Sequence, residues 1–114
     1  MSRAVTEAKL WYWQRVSAMA LALFVLVHLA TLVYAVRGGL SAAEILGRTR
    51  GSVLFGGFYA LFVAAAAVHA SIGLATIAEE WLGLDGRIAR RLALGFALLL
   101  AATGLRAVYA VVAG

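Results

Sequence analysis

Residues 16–36 read VSAMALALFVLVHLATLVYAV and contain no charged side chain over 21 consecutive positions. A helix of about 20 apolar residues is long enough to cross the hydrocarbon core of a bilayer. Residues 51–78 also lack charged side chains, and in residues 92–113 the one charged side chain is that of Arg106. Because a backbone in lipid must satisfy its own hydrogen bonds, each stretch is predicted to be helical. The sequence predicts an all-α membrane protein: a bundle of three transmembrane helices, at about 12–36, 52–78 and 90–113, in one domain of residues 1–114.

The composition excludes several classes of protein. Hydrophobic residues make up 65% of the chain and charged residues 13%, whereas soluble domains carry about 25% charged residues. A water-soluble globular domain and a disordered chain are both excluded. With no cysteine, the chain cannot form disulfides, thiolate zinc sites, iron–sulfur ligation or covalently attached haem. The net charge of +5 does not indicate nucleic-acid binding, because the arginines flank the apolar stretches as expected for membrane topology.

The distribution of basic residues predicts that the N-terminus lies in the cytoplasm. Six basic residues lie in the N-terminal segment and the second loop, namely Arg3, Lys9, Arg15, Arg87, Arg90 and Arg91. Three lie in the first loop (Arg37, Arg48 and Arg50), and Arg106 adds at most one more on that side. Cytoplasmic loops carry the excess of Lys and Arg. Residues 1–14 are predicted to form an interfacial lead-in to the first helix, with Trp11, Tyr12, Trp13 and Trp81 in a cytoplasmic aromatic belt.

The two loops are short. In the first, a Gly-Gly turn is followed by a predicted short surface helix with Ser41 as its N-cap. The second contains a Gly-Leu-Asp-Gly turn at residues 83–86. Neither loop contains a phosphate-binding glycine motif or a catalytic Ser/His/Asp set. Any function is therefore expected in the membrane, at its surface or in a partner protein.

Two histidines lie within the apolar stretches, where ionisable side chains are costly and usually functional. His69 is followed four residues later by Gly73, so the two residues share one helical face one turn apart. A flat macrocycle bound to His69 would need such a shallow wall, but small residues also allow close helix packing without a cofactor. For each histidine, a neutral imidazole hydrogen-bonded between helices remains the alternative to metal or haem ligation.

Polar residues cluster where the first and second helices meet the cytoplasmic surface. Gln14-Arg15-Val16-Ser17 begins the first helix, and Glu79-Glu80-Trp81 ends the second. Both segments are expected at the same level, around one pocket. A quinone head group needs this combination, because its carbonyl oxygens accept hydrogen bonds and its reduction consumes protons. The alternative is an ordinary polar rim.

These segments resemble motifs of the cytochrome b membrane-anchor subunits of succinate dehydrogenase and fumarate reductase. His69-Ala70-Ser71-Ile72-Gly73, continuing to Glu80-Trp81, is similar to their second-helix motif. That motif has a haem-ligating His, Gly four residues later, then Asp and Tyr, which are Glu80 and Trp81 here. Arg15-Val16-Ser17 resembles their first-helix motif Arg-x-Ser/Thr-Gly, with Ala18 in place of the Gly. The basic residues that often follow the second-helix Gly are absent, and Leu74-Ala75-Thr76 stands there.

For haem b, the resemblance implies that His69 is an axial ligand of the iron, that Gly73 packs against the ring and that Arg15 lies near a propionate. His28 is a candidate second ligand. It is expected about 20 Å from the cytoplasmic surface and His69 about 15 Å from it, a difference that helix tilt can accommodate. One haem held by both histidines, a second haem shared with a partner and a helix-to-helix hydrogen bond all remain open, and the hydrogen bond is favoured for His28.

For the quinone, which would be ubiquinone or menaquinone, the resemblance implies a pocket lined by Arg15 and Ser17. Trp81 would take the place of the quinone-bonding Tyr, and Glu80 would assist proton transfer. The chain would be a non-catalytic subunit of a succinate:quinone oxidoreductase or quinol:fumarate reductase.

The implied partners are an iron–sulfur subunit, a flavoprotein subunit and a second anchor chain, different or identical. The implied location is a bacterial inner membrane, which the chain crosses several times. The alternative function is a cofactor-free three-helix structural or transport subunit whose histidines only pack.

Overall fold

A computed structural model describes the backbone of residues 3–114 and the side chains from Ala4 onward. It has four helices: α1 (Arg3–Gly38), α2 (Ala42–Thr49), α3 (Val53–Leu82) and α4 (Gly86–Val112). α1, α3 and α4 are long and apolar enough to cross a membrane, and no strand occurs within residues 3–114. The prediction of an all-α protein with three membrane-spanning helices is confirmed.

The first helix is longer than predicted. It has 36 residues, about 54 Å at 1.5 Å per residue, whereas the hydrocarbon core is about 30 Å thick. The lead-in expected at residues 1–14 is part of this helix from Arg3 onward. Residues 1 and 2 of the expected lead-in lie outside the described part of the chain. The physical reason is that residues 3–37 contain neither glycine nor proline, so no residue interrupts the hydrogen-bond ladder.

The loops form the turns that the sequence indicates. Ser41 caps α2: its Oγ accepts a hydrogen bond from the Glu44 backbone N–H at 3.2 Å and donates one to the Glu44 carboxylate at 2.7 Å. This confirms the predicted surface helix and its cap. α3 ends at Gly83, which adopts the left-handed conformation with φ of 65° that terminates many helices. Asp85 then precedes α4 without forming a side-chain cap.

Small residues bring α3 and α4 together. Ala78 of α3 and Ala89 and Ala93 of α4 are buried. Because membrane helices gain little from hydrophobic burial against each other, close approach through small residues provides the packing energy. α3 also packs against α1, where Phe24 makes ring contacts with Phe58 and Phe62 at centroid distances of 5.4 and 5.9 Å. α3 is therefore the helix that carries both interfaces.

The segment after α2 is fixed to the end of α4. The Thr49 hydroxyl donates to the Val111 carbonyl at 2.6 Å, and the Gly51 backbone N–H donates to the Val112 carbonyl at 2.6 Å. The last carbonyls of a helix have no partner within the helix. Thr49 and Gly51 therefore satisfy two of the C-terminal carbonyls of α4.

Candidate functional site

Two contacts fix the register between α1 and α3 at the predicted site. Ser17 Oγ lies 3.4 Å from Nδ1 of His69. One turn nearer the N-terminus of α1 and one turn nearer the C-terminus of α3, a Cβ added to Gly73 would lie 3.4 Å from Nε2 of Gln14. His69 and Gly73 therefore share the face of α3 that packs against α1, as their spacing predicts. Residues from the two sequence motifs meet in this seam.

Ser17 is the most buried polar residue of the seam, with 5% of its surface exposed. Its hydroxyl donates to the Gln14 carbonyl within α1 at 3.1 Å, while its oxygen faces the half-buried imidazole of His69. The single hydroxyl proton is thus engaged inside the protein. Ser17 consequently faces His69 and has little surface on which a separate ligand could bind.

Gln14 belongs to the polar segment that the sequence places at the pocket, but the sequence predicted no role for it. Its Oε1 is buried, and no hydrogen-bond donor among the described residues reaches it. Buried polar atoms without partners are rare in folded proteins, and each one requires an explanation. The signal available in the sequence was its position, because Gln14 lies three residues, or about one helical turn, before Ser17. Because Oε1 is enclosed by the chain itself, it is an unsatisfied polar atom of the α1–α3 seam and does not face a ligand in this conformation.

Arg15 lies on the outside of α1. Its side chain is exposed, and its guanidinium carbon lies 5.2 Å from the centroid of the Trp11 ring. This is a cation–π distance, which holds the charge beside an aromatic ring at the membrane surface. Arg15 is therefore accessible to a phosphate head group, a propionate or a quinone oxygen.

Glu80 and Trp81 lie further toward the membrane surface than Arg15. Because Gln14 faces Gly73, Glu80 lies seven residues, or about 10 Å, beyond the level of Gln14. Both side chains are exposed, and Trp81 has 80% of its surface accessible. The predicted residues thus form two groups at different levels, contrary to the expectation of one level, because α1 continues beyond Arg15 alongside the end of α3.

His28 lies well away from His69. His69 contacts Ser17, which precedes His28 by eleven residues, and this corresponds to about 16 Å along the helix axis. The two histidines of one chain are therefore too far apart along the bundle to hold the same haem. The expected difference of about 5 Å is too small, because the ends of the two helices do not lie at one level.

The hydrogen bond favoured for His28 is not formed. Its Nδ1 is buried without a partner among the described residues. The ring instead packs edge-on against Tyr59 and Phe62, at centroid distances of 5.9 and 5.7 Å. Beside it lies a largely apolar cavity of about 500 Å³ between α2, α3 and α4, which also contacts Thr103 and Gly104. This cavity lies in the half of the bundle opposite to His69.

The residues around His69 fit a haem better than a free metal ion. Among the described residues, no group of three or more His, Cys, Asp or Glu side chains could hold an ion. A haem iron needs fewer protein ligands, because the porphyrin already supplies four nitrogens and the protein supplies the axial ones. One imidazole, with its Nδ1 beside a hydroxyl, would be the contribution of this chain to such a group.

Comparison with known proteins identifies a family. The family model for the succinate dehydrogenase/fumarate reductase transmembrane subunit matches residues 1–108. A search of curated proteins gave no match, and a search of solved structures gave none either. The matched region includes α1, α2 and α3 and most of α4.

Proposed function

Because the chain belongs to the succinate dehydrogenase/fumarate reductase transmembrane subunit family, we propose that it is a haem b- and quinone-binding anchor of such an oxidoreductase complex. In this role it passes electrons between an iron–sulfur subunit and membrane quinone. The observation that carries the proposal is the position of His69, a half-buried imidazole on the α1-facing side of α3 with Gly73 one turn away. The flavoprotein subunit of the complex carries out the dicarboxylate chemistry.

His69 is the proposed axial ligand of haem b. When bound, haem b supplies a one-electron carrier between the iron–sulfur subunit and the quinone. One feature of the chain supports this assignment: Nδ1 of His69 faces Ser17, which leaves Nε2 for the iron. The Gln14 amide covers Gly73, so a ring would pack against Gly73 only where that amide is displaced. Arg15 is exposed on the neighbouring helix and is proposed to pair with a propionate.

The second axial ligand is proposed to come from a second anchor chain, different or identical. His28 is the chain's other histidine, and it lies about 16 Å away along α1. A second chain would also cover part of the large apolar surface that the three membrane helices expose. The location proposed for the assembly is a bacterial inner membrane.

Quinone, either ubiquinone or menaquinone, is proposed to bind between the part of α1 that carries Gln14 and Arg15 and the iron–sulfur subunit. The Arg15 guanidinium would donate hydrogen bonds to a quinone carbonyl. The Gln14 carboxamide is proposed to turn out of the seam when quinone binds, because its Oε1 is buried in the free chain. In that position its N–H groups would donate to a quinone carbonyl and its Oε1 would accept from a quinol hydroxyl. An acceptor that requires a donor from outside the chain is the feature that favours a protonated ligand here.

Glu80 and Trp81 are proposed to serve the outer part of this pocket. The Glu80 carboxylate is exposed, so it can exchange protons with water and transfer them toward the quinone oxygens. The Trp81 indole N–H is the donor available in place of a tyrosine hydroxyl. Because both lie about 10 Å nearer the surface than Gln14, they would contact the quinone only at the side facing the iron–sulfur subunit.

A cofactor-free anchor is the second candidate, and one observation favours it. The Ser17–His69 contact is also what a purely structural hydrogen bond between membrane helices would look like. The experiment that separates the two is a reduced-minus-oxidised absorbance spectrum of the purified complex, combined with succinate:quinone reductase activity. The proposal predicts b-type bands together with quinone turnover. A complex that contains this chain but shows no b-type bands would contradict the haem assignment.

A further inference from the structure

Ser17 is positioned to control which nitrogen of His69 carries the proton. We infer that the Ser17 hydroxyl oxygen accepts a hydrogen bond from Nδ1–H of His69 and thereby keeps the Nε2 lone pair available to the haem iron. Ser17 is then a positioning residue for the ligand, which differs from the quinone-lining role that the family resemblance implies. This inference rests on the proposed haem ligation by His69.

The Ser17 hydroxyl has a single hydrogen for two neighbouring acceptors. A serine hydroxyl has one proton to donate, and that of Ser17 points to the Gln14 carbonyl at 3.1 Å. The same oxygen lies 3.4 Å from Nδ1 of His69. If the proton is used on the carbonyl, the oxygen and Nδ1 attract each other only when Nδ1 carries a hydrogen.

The tautomer of the His69 imidazole decides whether Nε2 can bind iron. A neutral histidine has one protonated nitrogen and one free nitrogen, and the partner of the first decides which nitrogen can bind a metal. Protonation at Nδ1 leaves Nε2 as the free nitrogen. The opposite tautomer, with Ser17 donating to Nδ1, would place a hydrogen on Nε2 and block ligation. The intrahelical bond to the Gln14 carbonyl therefore selects the tautomer that can bind iron.

The burial of Ser17 excludes water from its contact with His69. Ser17 is 5% exposed, in the seam between α1 and α3. Water from the bulk therefore cannot easily replace the hydroxyl if it is removed. Partners of this kind orient metal-ligating histidines and raise their basicity, and their loss typically lowers metal affinity or activity about 10- to 100-fold.

The direction of the effect on the haem follows from basicity. An imidazole that donates from Nδ1 is a stronger electron donor, so it favours the oxidised iron. Without the Ser17 oxygen, the preference for oxidised iron decreases and the midpoint potential rises. Each tenfold change in that preference corresponds to about 59 mV for a one-electron couple.

The test is a redox titration of the haem in the purified complex containing wild-type chain, Ser17→Ala, Ser17→Thr or Ser71→Ala. Ser71 is the matched control, because its hydroxyl lies two residues from His69 but donates to the Val68 carbonyl of its own helix at 3.0 Å. Ser17→Ala should raise the midpoint potential or weaken haem retention about 10- to 100-fold. Ser17→Thr, which keeps the hydroxyl, should restore the wild-type value, and Ser71→Ala should retain it.

Two outcomes would overturn the inference. One is a wild-type midpoint potential and wild-type haem retention in Ser17→Ala, with only the quinone KM raised, which would assign the hydroxyl to quinone. The other is an equal shift in Ser17→Ala and Ser71→Ala. Failure of the proposed function itself is distinguishable, because the wild-type complex would then contain no b-type haem to titrate.

Discussion

Gly104 of α4 lies directly against Val63 of α3: a Cβ at position 104 would come within 2.7 Å of Cγ1 of Val63 and 3.4 Å of its Cβ. Real Cβ atoms do not approach so closely, and a valine side chain has little freedom to move away. The two helices can therefore approach here only because residue 104 is glycine. This contact lies beside the cavity next to His28.

Gly104→Ala should destabilise the helix bundle by about 1–3 kcal/mol, the usual cost of overpacking. Gly95→Ala is the matched control on the same helix, because a Cβ there would have no neighbour within 4 Å. Alanine also favours the helix over glycine by about 1 kcal/mol, so Gly95→Ala should stabilise slightly. Unfolding by SDS in mixed micelles measures the free energy of unfolding of both variants. An equal change in this free energy in the two variants would contradict the close contact at Gly104.

Thr49→Val should weaken the attachment of α2 to α4. It removes the hydroxyl that donates to the Val111 carbonyl but keeps the shape of the side chain. Hydrogen bonds between membrane-protein segments average about 0.6 kcal/mol and rarely exceed about 2 kcal/mol, and the loss should fall in this range. Thr76→Val serves as the control, since Thr76 bonds only to the Ile72 carbonyl of its own helix. Hydrogen exchange at the Gly51 amide should increase only in Thr49→Val.

Gln14→Leu should raise stability and impair quinone turnover. Leucine removes the buried Oε1 that has no partner in the described chain, and relieving such a group is worth about 1–3 kcal/mol. The same change removes the proposed contacts to quinone, each worth about 0.5–1.5 kcal/mol, so the quinone KM should rise about 2- to 12-fold. The haem spectrum should be unchanged. A loss of stability with an unaltered KM would show that the amide is structural.

Arg106→Leu should leave haem content and quinone activity nearly unchanged. Arg106 is exposed on α4, and no hydrogen bond or ion pair joins its side chain to the described residues. A single arginine near the end of a membrane helix extends toward the head groups. The pyridine haemochrome assay gives the haem content per complex. A haem-deficient Arg106→Leu complex would identify Arg106 as a propionate partner.

The membrane helices could be predicted because charge-free stretches report directly on the bilayer. The boundaries of residues 51–78 lie within four residues of those of α3, and residue 92 lies six residues after the start of α4, whose end agrees within one residue. The common face of His69 and Gly73 was also predictable, since four-residue spacing alone determines it. The cap at Ser41 followed from the local preference of serine for the N-cap position.

The register between α1 and α3 could not be predicted in this way. Counting residues from the charged ends requires that Arg15 and Glu79 mark one level, but the packing places Gln14 opposite Gly73. Interhelical register depends on how small residues such as Gly73 accept side chains from the neighbouring helix, and periodicity within one helix contains no such information. For the same reason the aromatic surroundings of His28 and the unpartnered oxygen of Gln14 became apparent only in the structure.

The identity of the haem ligand can be tested most directly by a reduced-minus-oxidised spectrum of complexes carrying His69→Ala or His28→Ala. Both changes remove a half-buried imidazole from a membrane helix, so they are matched in chemistry and differ in position by about 16 Å along the bundle. We expect His69→Ala to lose its low-spin b-type haem or to convert it to a high-spin form, and His28→Ala to keep the wild-type spectrum. An unchanged low-spin spectrum in His69→Ala would contradict haem ligation by His69.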